Sequence, residues 1–241
     1  MGDQNDDFNQ LLEGTSLGSR GARELRARTP AFRSRAVRSI ADSGWWHRYA
    51  DVLPNWYPTY VGLEEAASLI RTHEVHFVPG LLQTKAYARA IMRSGSATAS
   101  EGEVERLVAA RLERQKRLVS ETPPLLHVVL DESLLRRPYG GREVMRDQLH
   151  HLIDLSEVEN VRLQIRPLDG GRPSGAGAFT ILTFPEPDLS DIVYLEQLTS
   201  ALYLDKRQEV DEYESALRGL QEDSLVPDKS RDLLWKLMRL F

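Results

Sequence analysis

Six polar side chains stand on segments that otherwise read as buried: Glu64, Arg111, Gln115, Asp131, Glu132 and Glu196. Groups this costly to desolvate gather at functional sites, where a carboxyl can exchange protons and a guanidinium can hold an anion. Arg111 carries the sharpest expectation. Stepping by four and three from Val104 gives Val108, Arg111, Gln115 and Leu118, so Arg111 and Gln115 fall on a helical stripe suited to burial. A buried guanidinium without a partner is very costly. Arg111 therefore calls for a carboxylate, with Glu64, Asp131 and Glu132 the candidates, or for a ligand anion, unless its head reaches water. Asp131 and Glu132 end the apolar run Leu125–Leu130, and Glu64 borders the apolar face of an earlier helix. Charges at the carboxyl end of a central strand stand where open α/β sheets place ligands, so these groups are expected to converge there.

The elements that must position them follow from periodicity. Leu125–Leu130 is a short apolar run after Pro123-Pro124, the pattern of a strand buried on both faces. Tyr60, Leu63, Ala67 and Ile70 mark one face of a helix, and Glu74–Phe77 reads as a strand. Val78-Pro79-Gly80 breaks that strand, and Thr84 caps the helix carrying Tyr87, Ala88, Ile91 and Met92. A helix runs from about Glu103 to Val119, and another from about Arg142 to Glu157. Val161–Ile165 alternates as a second strand, which makes a strand–helix–strand crossover and a parallel pair. Ala178–Phe184 and Asp191–Glu196 form a hairpin about Pro185–Asp188, Ala201–Leu204 is a short edge strand, and helices near 206–221 and 227–240 close the chain. The fold expected is α/β: a mixed sheet of about five strands, with one parallel crossover plus a hairpin, flanked by helices. Residues 44–241 read as a single domain. Three of the four tryptophans lie in Gly44–Tyr60, where dense aromatics serve to dock one element onto a core.

Composition removes several classes. The chain has 241 residues, a net charge of −5 and no cysteine, which excludes disulfides, cysteine nucleophiles and thiolate metal sites. No apolar run approaches the roughly 20 residues of a membrane-spanning helix, and the polar start shows no signal-peptide pattern. A cytoplasmic location is expected. Phosphate-loop, dinucleotide-binding and nucleophile-elbow motifs are absent, and neither a metal nor a cofactor is expected. Residues 1–43 begin polar, with disorder expected over part of them, and then become Arg-rich. Arg20, Arg23, Arg26, Arg33, Arg35 and Arg38 are nucleic-acid candidates there, set against the plainer reading of a solvated or acid-paired helix.

Several motifs add a resemblance. They are Gly44-Trp45-Trp46, Leu63-Glu64-x-Ala66, Val78-Pro79-Gly80-Leu81-Leu82-Gln83-Thr84-x-x-Tyr87-Ala88, Arg111-x-x-Arg114-Gln115 and Asp131-Glu132-x-x-Leu135-Arg136. Met145-x-x-Gln148-Leu149-x-x-Leu152, Phe179-Thr180 and Val193-Tyr194-Leu195-Glu196 follow. Over roughly residues 44–238 the chain resembles the actinobacterial domain of unknown function that usually follows an XRE-type helix-turn-helix. The resemblance implies a regulator's ligand-sensing or partner-binding half. A helix-turn-helix is missing from this sequence, so DNA is not an expected partner. A small-molecule ligand or a small partner protein is, along with pairing as a homodimer and RNA binding through the Arg-rich stretch. The alternative is a biosynthetic enzyme using the same polar pocket on a nucleotide- or tRNA-linked substrate.

Overall fold

The computed structural model describes residues 44–95, 98–169 and 175–241. The six N-terminal arginines singled out above and the centre of the Asp169–Gly177 loop lie outside them.

The described chain is α/β. Its strands are β1 (Leu69–Glu74), β2 (Leu125–Asp131), β3 (Val161–Arg166), β4 (Phe179–Thr183), β5 (Ile192–Glu196) and β6 (Ala201–Leu204). The helices are α1 (Tyr57–Ala66), α2 (Lys85–Gly95), α3 (Glu101–Gln115), α4 (Glu132–Leu135), α5 (Arg142–Leu155), α6 (Arg207–Glu222) and α7 (Pro227–Met238). One mixed sheet has the order β3-β2-β1-β4-β5-β6. The sheet has six strands where about five were expected. The edge strand β6 is a full member, paired antiparallel with β5. There are also two parallel pairs, β1 with β2 and β2 with β3, where one crossover was expected.

The start of the sheet differs from expectation. Ile70 lies in β1, and α1 ends at Ala66 because Ala67 turns to extended backbone, φ −69° and ψ 139°. The segment expected as a strand, Glu74–Phe77, contributes only Glu74. β1 then separates the parallel half of the sheet from the antiparallel half, pairing with β2 on one side and β4 on the other.

Alternation along the strands sorts side chains onto two faces. One face carries Ile70, Leu126, Val128, Leu130, Leu182 and Ile192 into the larger core, which α1, α5 and α7 complete with Leu63, Leu149 and Leu234. The other carries Val129, Phe179, Ile181 and Val193 against Val210, Leu217 and Leu220 of α6. Arg71 fastens α6 to that second face, bonding Asp191 at 2.8 Å and Glu214 at 2.9 Å. The tryptophans dock as expected: Trp46 is buried in the larger core and Trp45 packs against it. No helix of the described residues is long and apolar enough to cross a membrane.

Candidate functional site

On the larger-core face the rows nearest the carboxyl end of β1 change from apolar to polar. Register aligns Thr72 with Thr180, Thr180 with Tyr194, and Tyr194 with Tyr203. The Thr72 and Thr180 hydroxyls bond each other at 3.0 Å. Glu74 on β1 and Glu196 on β5 lie two residues further on, and two residues along a strand return to the same face.

Helix α1 supplies the aromatic cover. Tyr60 stacks on Tyr194 with ring centroids 4.1 Å apart, and Tyr203 donates to the carbonyl of Trp56 at 2.8 Å. Burial first, and then nearby Glu64, raises the Tyr60 phenol well above its ordinary pKa, and Tyr194 and Tyr203 are raised by burial and by Glu196. All three rings are therefore neutral hydrogen-bonding groups at physiological pH.

Glu64 does not pair with Arg111. Its carboxylate, 1 % exposed, is held by Arg114, 7 % exposed, in a bidentate pair: Nε to Oε1 at 2.5 Å and Nη2 to Oε2 at 2.7 Å. Tyr60 donates to the same carboxylate at 2.9 Å, and Arg114 also donates to the Tyr57 hydroxyl. Burial opposes the charge on Arg114, but Glu64 and the two tyrosines outweigh it and hold the guanidinium pKa well above its usual value. Arg114 was not among the residues chosen from sequence. The stripe could have been stepped three then four from Val104, through Leu107 and Arg111 to Arg114 and Leu118, and that phase contains it.

Arg111 is half-buried and has none of the three carboxylates as a partner. Among the described residues it donates one hydrogen bond, to Gln83 Oε1 at 2.9 Å, and lies in no ion pair. The Val78–Thr84 loop that follows β1 is built to receive it. Gln83 donates to the carbonyl of Val78 at 2.7 Å, and Gln115 donates to the carbonyls of Gly80 and Gln83, both at 2.8 Å. Gln148 of α5 donates to the Leu82 carbonyl and accepts from Thr84 N–H, both at 2.7 Å. Three glutamines thus satisfy a buried loop backbone that would otherwise lack partners. The arginine stem passes over Gly80, where a Cβ would lie 2.6 Å from Nη1 and 2.9 Å from Cδ. Gly80→Ala is expected to push the flexible guanidinium aside while changing stability by less than about 1 kcal/mol. Urea unfolding together with NMR of the Arg111 Nε–H checks this. An unmoved Arg111 signal would contradict it.

Glu74, which the sequence reading passed over, faces this arginine. Burial, and then the carboxylate of Glu196, push its carboxyl up to about 8, against the opposing pull of Arg114 and Arg111. Glu74 is half-buried, and Glu196 is exposed and accepts from the Tyr194 hydroxyl at 3.1 Å.

Asp131 and Glu132 take other partners. Asp131 caps α4 by accepting from Ser133 N–H at 3.0 Å and lies 3.7 Å from Arg166. Glu132, buried, binds Arg136 at 2.5 Å and accepts from Leu168 N–H at 3.0 Å. Of the sequence candidates, then, Glu64, Arg111 and Glu196 adjoin the polar rows, Glu64 through its fixed pair with Arg114, while Gln115 is engaged with the Gly80 and Gln83 carbonyls. Among the described residues neither Asp131 nor Glu132 pairs with Arg111; their bonds go to other groups. His73 lies on the opposite face against Phe179, and burial lowers its pKa. Among the described residues no three histidine, aspartate or glutamate side chains group as metal ligands.

The arrangement can do two things chemically: hold an anionic group at Arg111, and move a proton at Glu74 near neutral pH. No curated protein and no solved structure matches this chain. A family match does exist, and it runs from the first residue of α1 into α7, enclosing every residue of this cluster. By that match, over residues 57–236, the chain belongs to the uncharacterised family described as Domain of unknown function (DUF5753).

Proposed function

We propose that this chain is a ligand-sensing or partner-binding module of the kind associated with XRE-type transcriptional regulators of actinobacteria, and that its ligand is a small molecule with an anionic group. One observation carries the reading: among the described residues Arg111 is a half-buried guanidinium with a single, neutral hydrogen-bond partner, and it lies over Gly80 in the loop that follows β1. A guanidinium in that setting without a carboxylate loses hydration that a ligand anion restores by charge-assisted hydrogen bonds. Cytoplasmic ligands reach such a site directly, and a partner protein reads its occupancy. The test is native mass spectrometry of the purified protein and of Arg111→Ala, with circular dichroism as the folding check. The expected result is a co-purifying small molecule on the wild type and at least a ten-fold lower occupancy on the variant, the loss of about 1.4 kcal/mol or more. Equal occupancy on both would overturn the reading.

A second reading, a biosynthetic enzyme acting on a nucleotide- or tRNA-linked substrate, is favoured by Glu74. A carboxyl pushed up to about 8 by burial and by Glu196 is protonated near neutrality and suits a general acid. Product formation by the wild type and its loss in Glu74→Gln, with ligand binding retained, would select this reading over the first.

A further inference from the structure

The sheet face covered by α6 carries a row of basic side chains at the amino ends of the parallel strands. Register places Arg162 of β3 beside His127 of β2, and His127 beside Arg71 of β1. Neighbouring strands stand about 4.8 Å apart and paired residues point to the same face, so the three side chains stand in one line. Val129, two residues after His127 on that face, packs under α6 together with Phe179, Ile181 and Val193. The outer end of the row is open. Arg162 is exposed, His127 is half-buried, and Leu125, two residues before His127, is 50 % exposed.

Like charges side by side across strands cost stability, and the nearby carboxylates relieve only one end of the row. Asp191 and Glu214 both accept from Nη2 of Arg71, at 2.8 and 2.9 Å, and the Thr183 hydroxyl accepts from the same nitrogen at 3.0 Å. Glu214 also lies 3.6 Å from Arg218 of α6. The buried Nε–H of Arg71 finds no acceptor. Among the described residues, the side chains of Arg162 and His127 have no hydrogen bond or ion pair. Burial first, then Arg162 and then Arg71, lower the pKa of His127, so its ring is neutral at pH 7. The charged groups facing that ring are Arg162 from β3 and Arg71 from β1, with Asp191 of β5 and Glu214 of α6 behind Arg71 as its partners.

An oxyanion supplies the acceptors that this row lacks. A monoanion answers Arg162 alone. A dianion between Arg162 and the ring accepts from both, and its second charge draws a proton onto His127 by offsetting the neighbouring arginines. A group attached to the dianion lies along β2 over Leu125, whose exposed apolar surface favours being covered. We propose that Arg162 and His127 bind the phosphate group of a small phosphomonoester, with its organic part on Leu125. This site is at the amino ends of β1, β2 and β3 and does not depend on a ligand at Arg111, which lies over the loop that follows the carboxyl end of β1.

NMR titration of the full chain with phenyl phosphate at pH 7 tests this, with ionic strength held constant by sodium chloride. The histidine ring nitrogens are the readout, and His127→Gln assigns the signal. The His127 ring is expected to shift saturably toward imidazolium values, while the ring of His150, exposed on α5, stays in place. Arg162→Gln, at an exposed position that leaves folding intact, should weaken binding about ten-fold or more. Benzoate, a monoanion of similar shape, should bind about ten-fold or more weakly than phenyl phosphate. Inorganic phosphate should bind roughly three-fold or more weakly, and Leu125→Ser should remove that difference. A His127 shift that sodium chloride alone reproduces, or wild-type affinity in Arg162→Gln, overturns the site. Benzoate as tight as phenyl phosphate overturns the dianion, and inorganic phosphate as tight as phenyl phosphate overturns the ester. The readout is the His127 ring itself, so occupancy of Arg111 does not enter the result.

Discussion

Arg114→Met is expected to destabilise the protein by about 3–5 kcal/mol, the usual cost of breaking a buried ion pair from one side. Among the described residues, the variant leaves the Glu64 carboxylate, 1 % exposed, with only the Tyr60 hydroxyl as donor. Two charge-assisted bonds disappear and the desolvation of Glu64 stays. The effect extends beyond the pair. Arg114 sits over the Tyr60 and Tyr57 rings, 5.2 and 5.8 Å from their centroids, and Tyr60 in turn stacks on Tyr194. The pair thus joins α1 to α3 above the polar rows. The double variant Glu64→Gln with Arg114→Met removes both charges and should recover more than half of the loss, since replacing a whole buried pair is often close to neutral. Urea unfolding of the wild type, both single variants and the double variant measures the coupling. Additive losses would show that the two groups do not act as a pair.

This pair also shows where sequence reasoning stops. A polar interruption of the α3 stripe is legible, because period 3.6 leaves little choice about which side faces inward. Which of two arginines three residues apart takes the carboxylate is not legible. Arg111 and Arg114 both fall on permitted phases of the stripe, and the choice depends on where α1 lies across α3. β2 was readable from start to finish, since Pro123-Pro124 and Asp131-Glu132 punctuate a run that is apolar except for His127. The α1–β1 junction was not. Ala67 and Ser68 carry no turn signal, and a helix followed by a strand on the same core keeps apolar residues at spacings of three and four: Tyr60, Leu63, Ala67 and Ile70 are all buried, although the helix ends at Ala66.

The charges at strand ends divide in the same way. Asp131 and Glu132 looked like a site because they follow a buried strand, but their partners are a helix N-terminus, Arg136, Arg166 and the backbone of Leu168. The first bond is local, and two of the partners come from distant segments that no short window contains. Glu74 looked ordinary, a single polar residue after a histidine. What makes it unusual is first its burial, and then Glu196 on a strand two positions away in a sheet whose order mixes parallel and antiparallel neighbours. The family match encloses this cluster without assigning a role to any part of it.

Glu74 should also tilt the stability of the protein with pH, and the sign follows from its environment. Below about pH 4.5 the carboxyl is protonated in both folded and unfolded chains and contributes no difference. Between 4.5 and about 8 the unfolded chain loses this proton while the folded chain keeps it, so stability falls as pH rises through that window and levels off above it. The facing groups are Glu196 from β5, Arg111 and Arg114 from α3, and the Tyr87 phenol from α2, which burial raises far out of this range. Of these, only Glu196 favours the neutral carboxyl, and burial of Glu74 itself is the larger cause. At 1.36 kcal/mol per unit the window has a ceiling of roughly 5 kcal/mol, and water reaching a half-buried carboxyl reduces this to about 2 kcal/mol. Glu74→Gln, neutral at every pH, is expected to match the wild type near pH 4.5 and to unfold at a higher urea concentration than the wild type at pH 8.5. Unfolding curves across pH 4.5–9 check it. Parallel pH profiles for the two proteins would show that Glu74 ionises as an ordinary carboxylate, and the case for a proton held at this end of β1 would then fall.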